Sequence, residues 1–383
     1  MTGTIDIVSG SVAAFVGHTL AGPINRVVAV RSYLEYANSF GGLAASSEVS
    51  YAVLQFFRNG GEQALIVRVP EDDTGLPGLE ALGGRERSYP VGLSCLESND
   101  EFSLLCVPDV TRPREPGGSV PQFRIERMAE FWRTAMDLCR RKRAMLLVDL
   151  PANATTVLAA RGALAALPRG TRALPGAYAP WLPREDPLHA NRQRLCAPSG
   201  TIAGLYARIE KTRGAWKAPA GLEADLRNVR RLAAGFTDTD QSVLNPLALN
   251  LLREFPGRGL VCWGARTLDI SGDWTHVPVR RLGNLIERSV LRGAGWVAGQ
   301  GNGPGLWTRL RTAIETCLYG LFREGAFAGQ KPESCYFVRC GPDTTTAADI
   351  ASGQVRVEIG FAPLRPAEFL ILRLALTTLP PSA

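Results

Sequence analysis

At 383 residues the chain exceeds one small core and suits two or three domains, and 45% hydrophobic with 21% charged residues is ordinary for a globular protein. It holds no apolar run of about 18 residues, so no transmembrane helix is expected, and the N-terminus MTGTIDIVSG lacks the basic and apolar regions of a secretory signal, which implies folding in the cytoplasm. The net charge of +7 is dispersed; all but Lys142, Lys211, Lys217 and Lys331 of the 43 basic residues are arginines, and the densest run, RRKR at 140–143, lacks the interleaved aromatics of a single-strand nucleic-acid platform.

The first elements form an α/β unit. SVAAFVGHT is a strand, and VVAVRSYLEYANSFGG passes from a strand into a short helix. SEVSYAVLQFFRNGG is a helix with Val49, Val53, Phe56 and Phe57 on one face, stopped at Asn59-Gly60-Gly61. QALIVRVP is a buried strand, and the polar, Gly-rich stretch 71–100 is expected to be a connector. FSLLCVPD, then the helix RIERMAEFWRTAMDLCRRKR with Met128, Phe131, Trp132, Ala135 and Leu138 at helical spacing, then AMLLVDLP make a strand–helix–strand series and hence a parallel sheet. Residues 151–200, rich in Ala, Pro and Arg, are expected to hold a helix and an irregular stretch.

Beyond 200, GLYARIEKTRGAWKAPAG starts as a helix, GLVCWGARTL is a strand, and RRLGNLIERSVLRG and PGLWTRLRTAIETCLYGLFREGAF are helices. CYFVRCG, QVRVEIGF and EFLILRLAL are strands. In the middle one Val355, Val357, Ile359 and Phe361 alternate with Gln354, Arg356 and Glu358, the pattern of a half-buried antiparallel strand.

No catalytic constellation accompanies these elements. The cysteines, Cys95, Cys106, Cys139, Cys196, Cys262, Cys317, Cys335 and Cys340, include no CxxC pair and sit mostly in apolar runs, so they are expected reduced and buried. His18, His189 and His276 share no metal-ligand spacing, and neither a metal nor a cofactor is expected. GQGNGPG at 299–305 lacks the GK[ST] of a phosphate loop and reads as a turn before a helix. Asp149 stands at a strand end where α/β enzymes place functional carboxylates, and Ser199 lies in PSGT rather than in a GxSxG elbow. An α/β hydrolase-like enzyme using Asp149 or Ser199 is the alternative from another class. A nucleic-acid binder is the third, and salt-dependent retention on DNA would favour it.

One ordered series of segments goes further. YAPWLPREDP, APSGTIAGLYARIEKTRGAWKAP, LNPLALNLLREFPGRGLVCWGARTL, DWTHVPVRRLGNLIERSV, GLWTRLRTAIETCLYGLFREGAFAG and the closing YFVRCGPDTTTAADIASGQVRVEIGFAPLRPAEFLILRL resemble the tail sheath proteins of contractile phages, and more closely those of phage-like bacterial injection systems. VAAFVGHTLAGPINRVVAV and AVLQFFRNGGEQALIVRV add to the resemblance. The departures are an absent PGVY-like arm, with only ten residues before Ser11, and a GQGNGPG turn keeping only Asn302 of the usual pattern. The first leaves open a short N-terminal arm or a paralogue at one end of the sheath.

The resemblance implies a mixed α/β (α+β) fold with a discontinuous inner domain bearing extended terminal arms, residues 1–70 and 200–383, and an inserted outer α/β domain, 71–199. It implies a structural, non-enzymatic subunit that stacks as six-fold rings around an inner tube protein, contacts baseplate and sheath-terminator proteins, and has neither nucleic acid nor a membrane as partner. Assembly is expected in the bacterial cytoplasm, followed by incorporation into a particle or virion tail. It further implies arm strands that pair with neighbouring subunits, here Glu368, Phe369, Leu370, Ile371, Leu372, Arg373 and Leu374 onward to Thr378. A helix facing the tube is implied as well. The candidates are Arg309 and Arg323 opposite an apolar stripe of Trp307, Leu310, Ile314, Cys317, Leu318 and Leu321, or Arg281, Arg288 and Arg292 beside Leu282, Leu285, Ile286 and Ser289.

Overall fold

The computed structural model describes the chain except residues 1–2, 9, 72–76, 85–88, 113–121, 169–174, 190–191, 271, 365–368 and 380–383, and the side chains of 122–126. It divides into two compact units, one of Gly10–Arg213 with Lys217–Val277, the other of Met1–Ser9, Gly214–Trp216 and Pro278–Ala383.

The first unit begins with β1 (Ala13–Gly17), β2 (Val27–Val30), α1 (Tyr33–Phe40), α2 (Glu48–Arg58), β3 (Ala64–Arg68) and α3 (Leu79–Gly83). It continues through β4 (Leu104–Cys106), α4 (Gln122–Lys142), β5 (Met145–Asp149), α5 (Val157–Ala165) and β6 (Gly176–Ala179). The hairpin β7 (Leu182–Glu185) and β8 (Gln193–Cys196), α6 (Ser199–Arg213), α7 (Asp238–Leu244), β9 (Leu249–Phe255) and β10 (Gly259–Cys262) complete it. One sheet runs β10-β9-β6-β5-β4-β1-β3-β2. Its six central strands are parallel, and β2 and β10 close the edges antiparallel. Both faces are covered, which is why its strands are unbroken apolar runs. One face packs Val16, Leu65, Leu105 and Leu146 against α4 and α5. The other packs Phe15, Ile66, Cys106 and Leu147 against α1, α2 and α6.

The second unit holds α8 (Val277–Gly293, starting at the unit boundary), α9 (Pro304–Arg323), β11 (Tyr336–Arg339), α10 (Ala347–Ala351), β12 (Gln354–Phe361) and β13 (Leu370–Thr377). The strands form an antiparallel sheet, β11-β12-β13. The alternation seen in the sequence sets its faces. Val355, Val357, Ile359 and Phe361 are buried with Leu370, Leu372, Leu374 and Leu376, while Ile371, Arg373 and Ala375 are exposed.

Three stretches depart from expectation. Residues 71–100 are more than a connector, because Leu82, Leu93 and Leu96 join the core beneath α4 and Val91 is buried as well; scattered among glycines and polar residues, these apolar positions show no period. Residues 151–200 contain β6, β7 and β8 rather than an irregular stretch; GAYA is too short and too poor in β-branched residues to signal a central strand. The domain division also falls elsewhere than 1–70, 71–199 and 200–383. Strands from all three stretches hydrogen-bond side by side in one sheet, so residues 71–199 are not a separate layer. The expected boundaries at 70 and 199 fall inside one hydrogen-bonded sheet.

Candidate functional site

Two places could carry function: the carboxyl edge of the parallel sheet and the surface of the three-stranded sheet with its helices. In doubly wound sheets, ligands bind where the strand order reverses, here between β1 and β4. This chain fills that point with its own groups. The Asp109 carboxylate accepts the His18 backbone N–H (2.8 Å), and a Cβ at Gly17 would overlap Asp109 Oδ2. The α2 N-cap Ser47 donates its hydroxyl to the His18 carbonyl and accepts the Ser50 N–H. Glu48 pairs with Arg194 Nη2 at 2.6 Å and Arg112 Nε at 3.7 Å. The hairpin β7–β8 crosses this edge, with Trp181 Nε1 donating to the Leu150 carbonyl (2.6 Å), Arg184 donating to Thr201 Oγ1, and Tyr51 donating to Asp186 Oδ1 (2.7 Å). YAPWLPREDP is thus a strap that Trp181 ties to the end of β5, Arg184 to α6 and Asp186 to α2.

Asp149 and Ser199, the candidates of the enzyme alternative, do meet. Asp149 Oδ1 accepts the Ser199 backbone N–H at 2.7 Å, so the carboxyl caps the N-terminus of α6, where the helix dipole favours it. Both residues are buried, at 2% and 0% exposure. A cavity of about 380 Å³ opens beside Asp149 between Met128, Trp132, Leu150, Pro151 and Ala163, and Asp149 is the sole titratable residue among its described lining. His189 is engaged with Asp186 at 3.0 Å, and His276 forms an isolated bridge with Arg266. Both histidines are thus engaged elsewhere, and the contact shown between Asp149 and Ser199 is that of a helix cap.

Burial pushes the carboxyls of Asp149 and Asp109 up to about 7, against the pull of hydrogen bonds from Ser199 and from the His18 backbone. A carboxyl raised from 3.8 keeps its proton in the native state after the unfolded chain has released it, so stability falls as pH rises from about 4 to about 7. Each fully buried group accounts for up to about 4 kcal/mol of that fall. Asp149→Asn should retain the cap, because an amide oxygen also accepts the Ser199 N–H, and should flatten the dependence. Denaturant midpoints from pH 5 to 8 check it, and an unchanged slope in the variant would count against this role.

The motif PSGTIAGLYARIEKTR has a second duty. Gly200 and Gly204 lie one turn apart on α6 and face α2; a Cβ at Gly200 would overlap the Ala52 carbonyl and stand 2.6 Å from Ala52 Cα, and one at Gly204 would overlap the Phe56 carbonyl. No local pattern in the sequence marks these glycines as setting a helix–helix distance; the packing of α6 on α2 does. All eight cysteines are free and buried. In the basic run 140–143, Arg140, Arg141 and Lys142 pair with Asp137, Glu97 and Asp100.

On the second unit, α9 buries Leu306, Leu310, Ile314, Cys317, Leu318 and Leu321. Trp307 is half-buried and donates its indole N–H to Asn302 Oδ1. The exposed face carries Arg309, Thr312, Thr316, Tyr319 and Arg323 without an acid. Arg309 and Arg323 therefore share one surface, although Arg309 also donates to Gln300 Oε1 (2.7 Å) and lies 5.4 Å from the Trp296 ring. On α8, Arg292 is exposed and Arg288 half-buried, but Arg281 is 5% exposed. This corrects its placement at the surface: residues 281–286 are all buried, so the apolar arc of α8 extends past the arginine. Of the terminal strand, Phe369–Leu374 are described and Glu368 lies outside the described residues. Within the chain, β13 pairs along one edge with β12.

No family model matches the chain. A protein named for the major tail sheath of a Pseudomonas aeruginosa (strain UCBPP-PA14) prophage is 25% identical over 180 residues, 46% of this chain and 45% of that relative. The matched stretch thus spans less than half of that curated relative. Among solved structures, the PVC extracellular contractile injection system sheath complex in its contracted state aligns with a TM-score of 0.72 and 28% identity, covering 97% of this chain and 94% of that one. The helical sheath of the anti-feeding prophage (AFP), also contracted, gives 0.72 and 28%, covering 98% and 95%. The chain is similar to contractile tail sheath proteins in sequence and in fold. Sheath subunits and this chain share the mixed α/β architecture over nearly their whole length, so the paired strands, the strap and the terminal sheet all lie within the likeness.

Proposed function

We propose that this chain is the structural subunit of the contractile sheath of a phage-tail-like injection system, and that it is not an enzyme. The observation that carries this is the nearly complete alignment with sheath subunits at 28% identity, supported by a sheet edge that the described chain leaves unpaired. Subunits stack as six-fold rings on an inner tube, between a baseplate and a sheath terminator, assemble in the bacterial cytoplasm and end in a particle or virion tail. Contraction is rigid-body rearrangement between two packings of the same subunits; strand exchange tethers neighbours by main-chain hydrogen bonds while leaving hinges between them.

Negative-stain microscopy of the purified chain tests the reading: tubes or rings support it, and a small discrete oligomer with hydrolytic activity overturns it. The tube face is tested in the same preparation. We assign it to α9, whose Arg309 and Arg323 are about 21 Å apart along an acid-free face. Single exposed pairs contribute only about 0–1 kcal/mol, but ring symmetry multiplies them. Arg323→Glu, which leaves the Gln300 contact of Arg309 intact, should reduce tube-templated sheath, and Arg309→Glu with Arg323→Glu should abolish it, with the melting temperature unchanged. If instead Arg288→Glu with Arg292→Glu does so and the first pair is silent, α8 faces the tube.

A further inference from the structure

On the reading of this chain as a sheath subunit, we infer that the loop Gln300–Asn302 is a register stop on the open edge of β13, and that Arg373 selects the strand that a second copy of this chain adds to that edge. The hydrogen-bond pattern sets the geometry. Thr378 N–H donates to the Gly353 carbonyl (2.8 Å) and Val355 stands opposite Leu376. Even-numbered residues of β13 therefore turn their main-chain groups towards β12, and Ile371, Arg373, Ala375, Thr377 and Leu379 turn theirs outward. The outermost of these is already taken: Leu379 N–H donates to the Gln300 carbonyl (3.0 Å), and Gly301 bridges Leu379 in parallel. The loop lies in the lane beside β13 that an added strand would occupy.

It is held there. Asn302 donates its amide to the Gln354 carbonyl (2.7 Å) and accepts the Trp307 indole N–H (2.8 Å), which ties the loop to the start of β12 and to α9. Arg309 braces Gln300 from the same helix. An incoming strand thus meets outward main-chain groups from 371 to 377 that no other described residue engages, and a fixed end beyond them. Because side chains alternate with period two, a one-residue slip would turn its apolar face outward, and a fixed end opposes that slip.

The exposed face adds chemistry. Arg339, Glu358 and Arg373 stand opposite one another across the three strands, with Glu358 pairing with Arg339 at 3.3 Å and Arg373 at 3.2 Å. One carboxylate shared by two guanidiniums leaves the row positive at its open end, where the Arg373 side chain is 74% exposed. Opposite charges directly across strands stabilise a pair and like charges repel. The added strand is therefore one that sets an Asp or Glu opposite Arg373 and apolar residues level with Leu372 and Leu374.

Residue-resolved amide hydrogen exchange tests this on the full chain before and after assembly. In the isolated subunit, Arg373, Ala375 and Thr377 should exchange freely and Leu379 slowly; Asn302→Ala should speed Leu379 by about tenfold or more. Assembly should protect the first three. Arg373→Glu should lower sheath yield by about tenfold, and Arg373→Lys should restore it. If Leu379 exchanges as fast as Ala375 in the subunit, there is no stop. If wild-type tubes form with Arg373, Ala375 and Thr377 unprotected, no strand adds there and the inference fails while the sheath reading stands. If the wild type assembles nothing, the sheath reading fails, and the Leu379 comparison still decides the stop.

Discussion

Gly200→Val with Gly204→Val is expected to leave the parallel-sheet unit unfolded and the protein insoluble. Both residues are in α6 and both face the backbone of α2; the nearest atoms to a new Cβ are the carbonyl oxygens of Ala52 and Phe56, followed by Ala52 Cα at 2.6 Å and Asn59 Cβ at 2.7 Å. These are main-chain or rigid Cβ positions, so nothing swings aside and the helices must separate. A glycine inside a helix itself costs about 1 kcal/mol relative to alanine; keeping two in one helix indicates that close packing returns more. Overpacking costs about 1–3 kcal/mol per site where side chains can yield and more where the backbone must move. Two such sites approach the roughly 5–15 kcal/mol that holds a domain together. Single alanine variants are the measurable form: Gly204→Ala should lower stability by about 2–4 kcal/mol in denaturant melts. Gly162→Ala is the control, since Gly162 is on α5 with open space at its Cβ, and it should be neutral or stabilising by up to about 1 kcal/mol. Equal effects at Gly162 and Gly204 would show that helix propensity alone is being measured.

The second large effect is on assembly. Removing residues 366–383 would delete β13 itself and uncover Val355, Val357, Ile359 and Phe361, so the cut confounds folding with association. Proline separates the two. It removes one main-chain donor, and at Ala375 that donor points outward from β13, whereas at Leu374 it points to Val357. Ala375→Pro should therefore preserve the folded subunit, within a few degrees in melting temperature, and abolish tubes, because proline is tolerated on an edge strand but cannot extend the ladder. Leu374→Pro should damage the subunit itself, losing a ladder bond and a side chain that is 5% exposed. Long tubes from Ala375→Pro would mean that neighbours do not bond to this edge.

The sequence by itself determined what depends on local periodicity. The alternation in QVRVEIGF specified which face of β12 is buried, helical spacing in α4 and α9 specified their apolar stripes, and unbroken apolar runs such as AMLLVDL specified strands covered on both sides. Order and spelling of the longer segments carried the likeness to sheath proteins, which no single motif would have. Only the tertiary structure decided what depends on residues distant in the chain. Strand pairing placed β6, with its weak GAYA signal, between β5 and β9 and so joined stretches on either side of the expected boundary at 199. Helix packing gave Gly200 and Gly204 their role, and the meeting of β5 with α6 turned Asp149 and Ser199 from candidate catalytic groups into a cap. Arg281 and Arg292 are close on a helical wheel, yet the first is buried and the second exposed, because where an apolar arc ends is set by the neighbours packed against it. The free edge of β13 is of the same kind: its residues were legible as an apolar strand, but which main-chain groups face outward, and that Leu379 is already engaged by Gln300, follow from a register that no local pattern encodes.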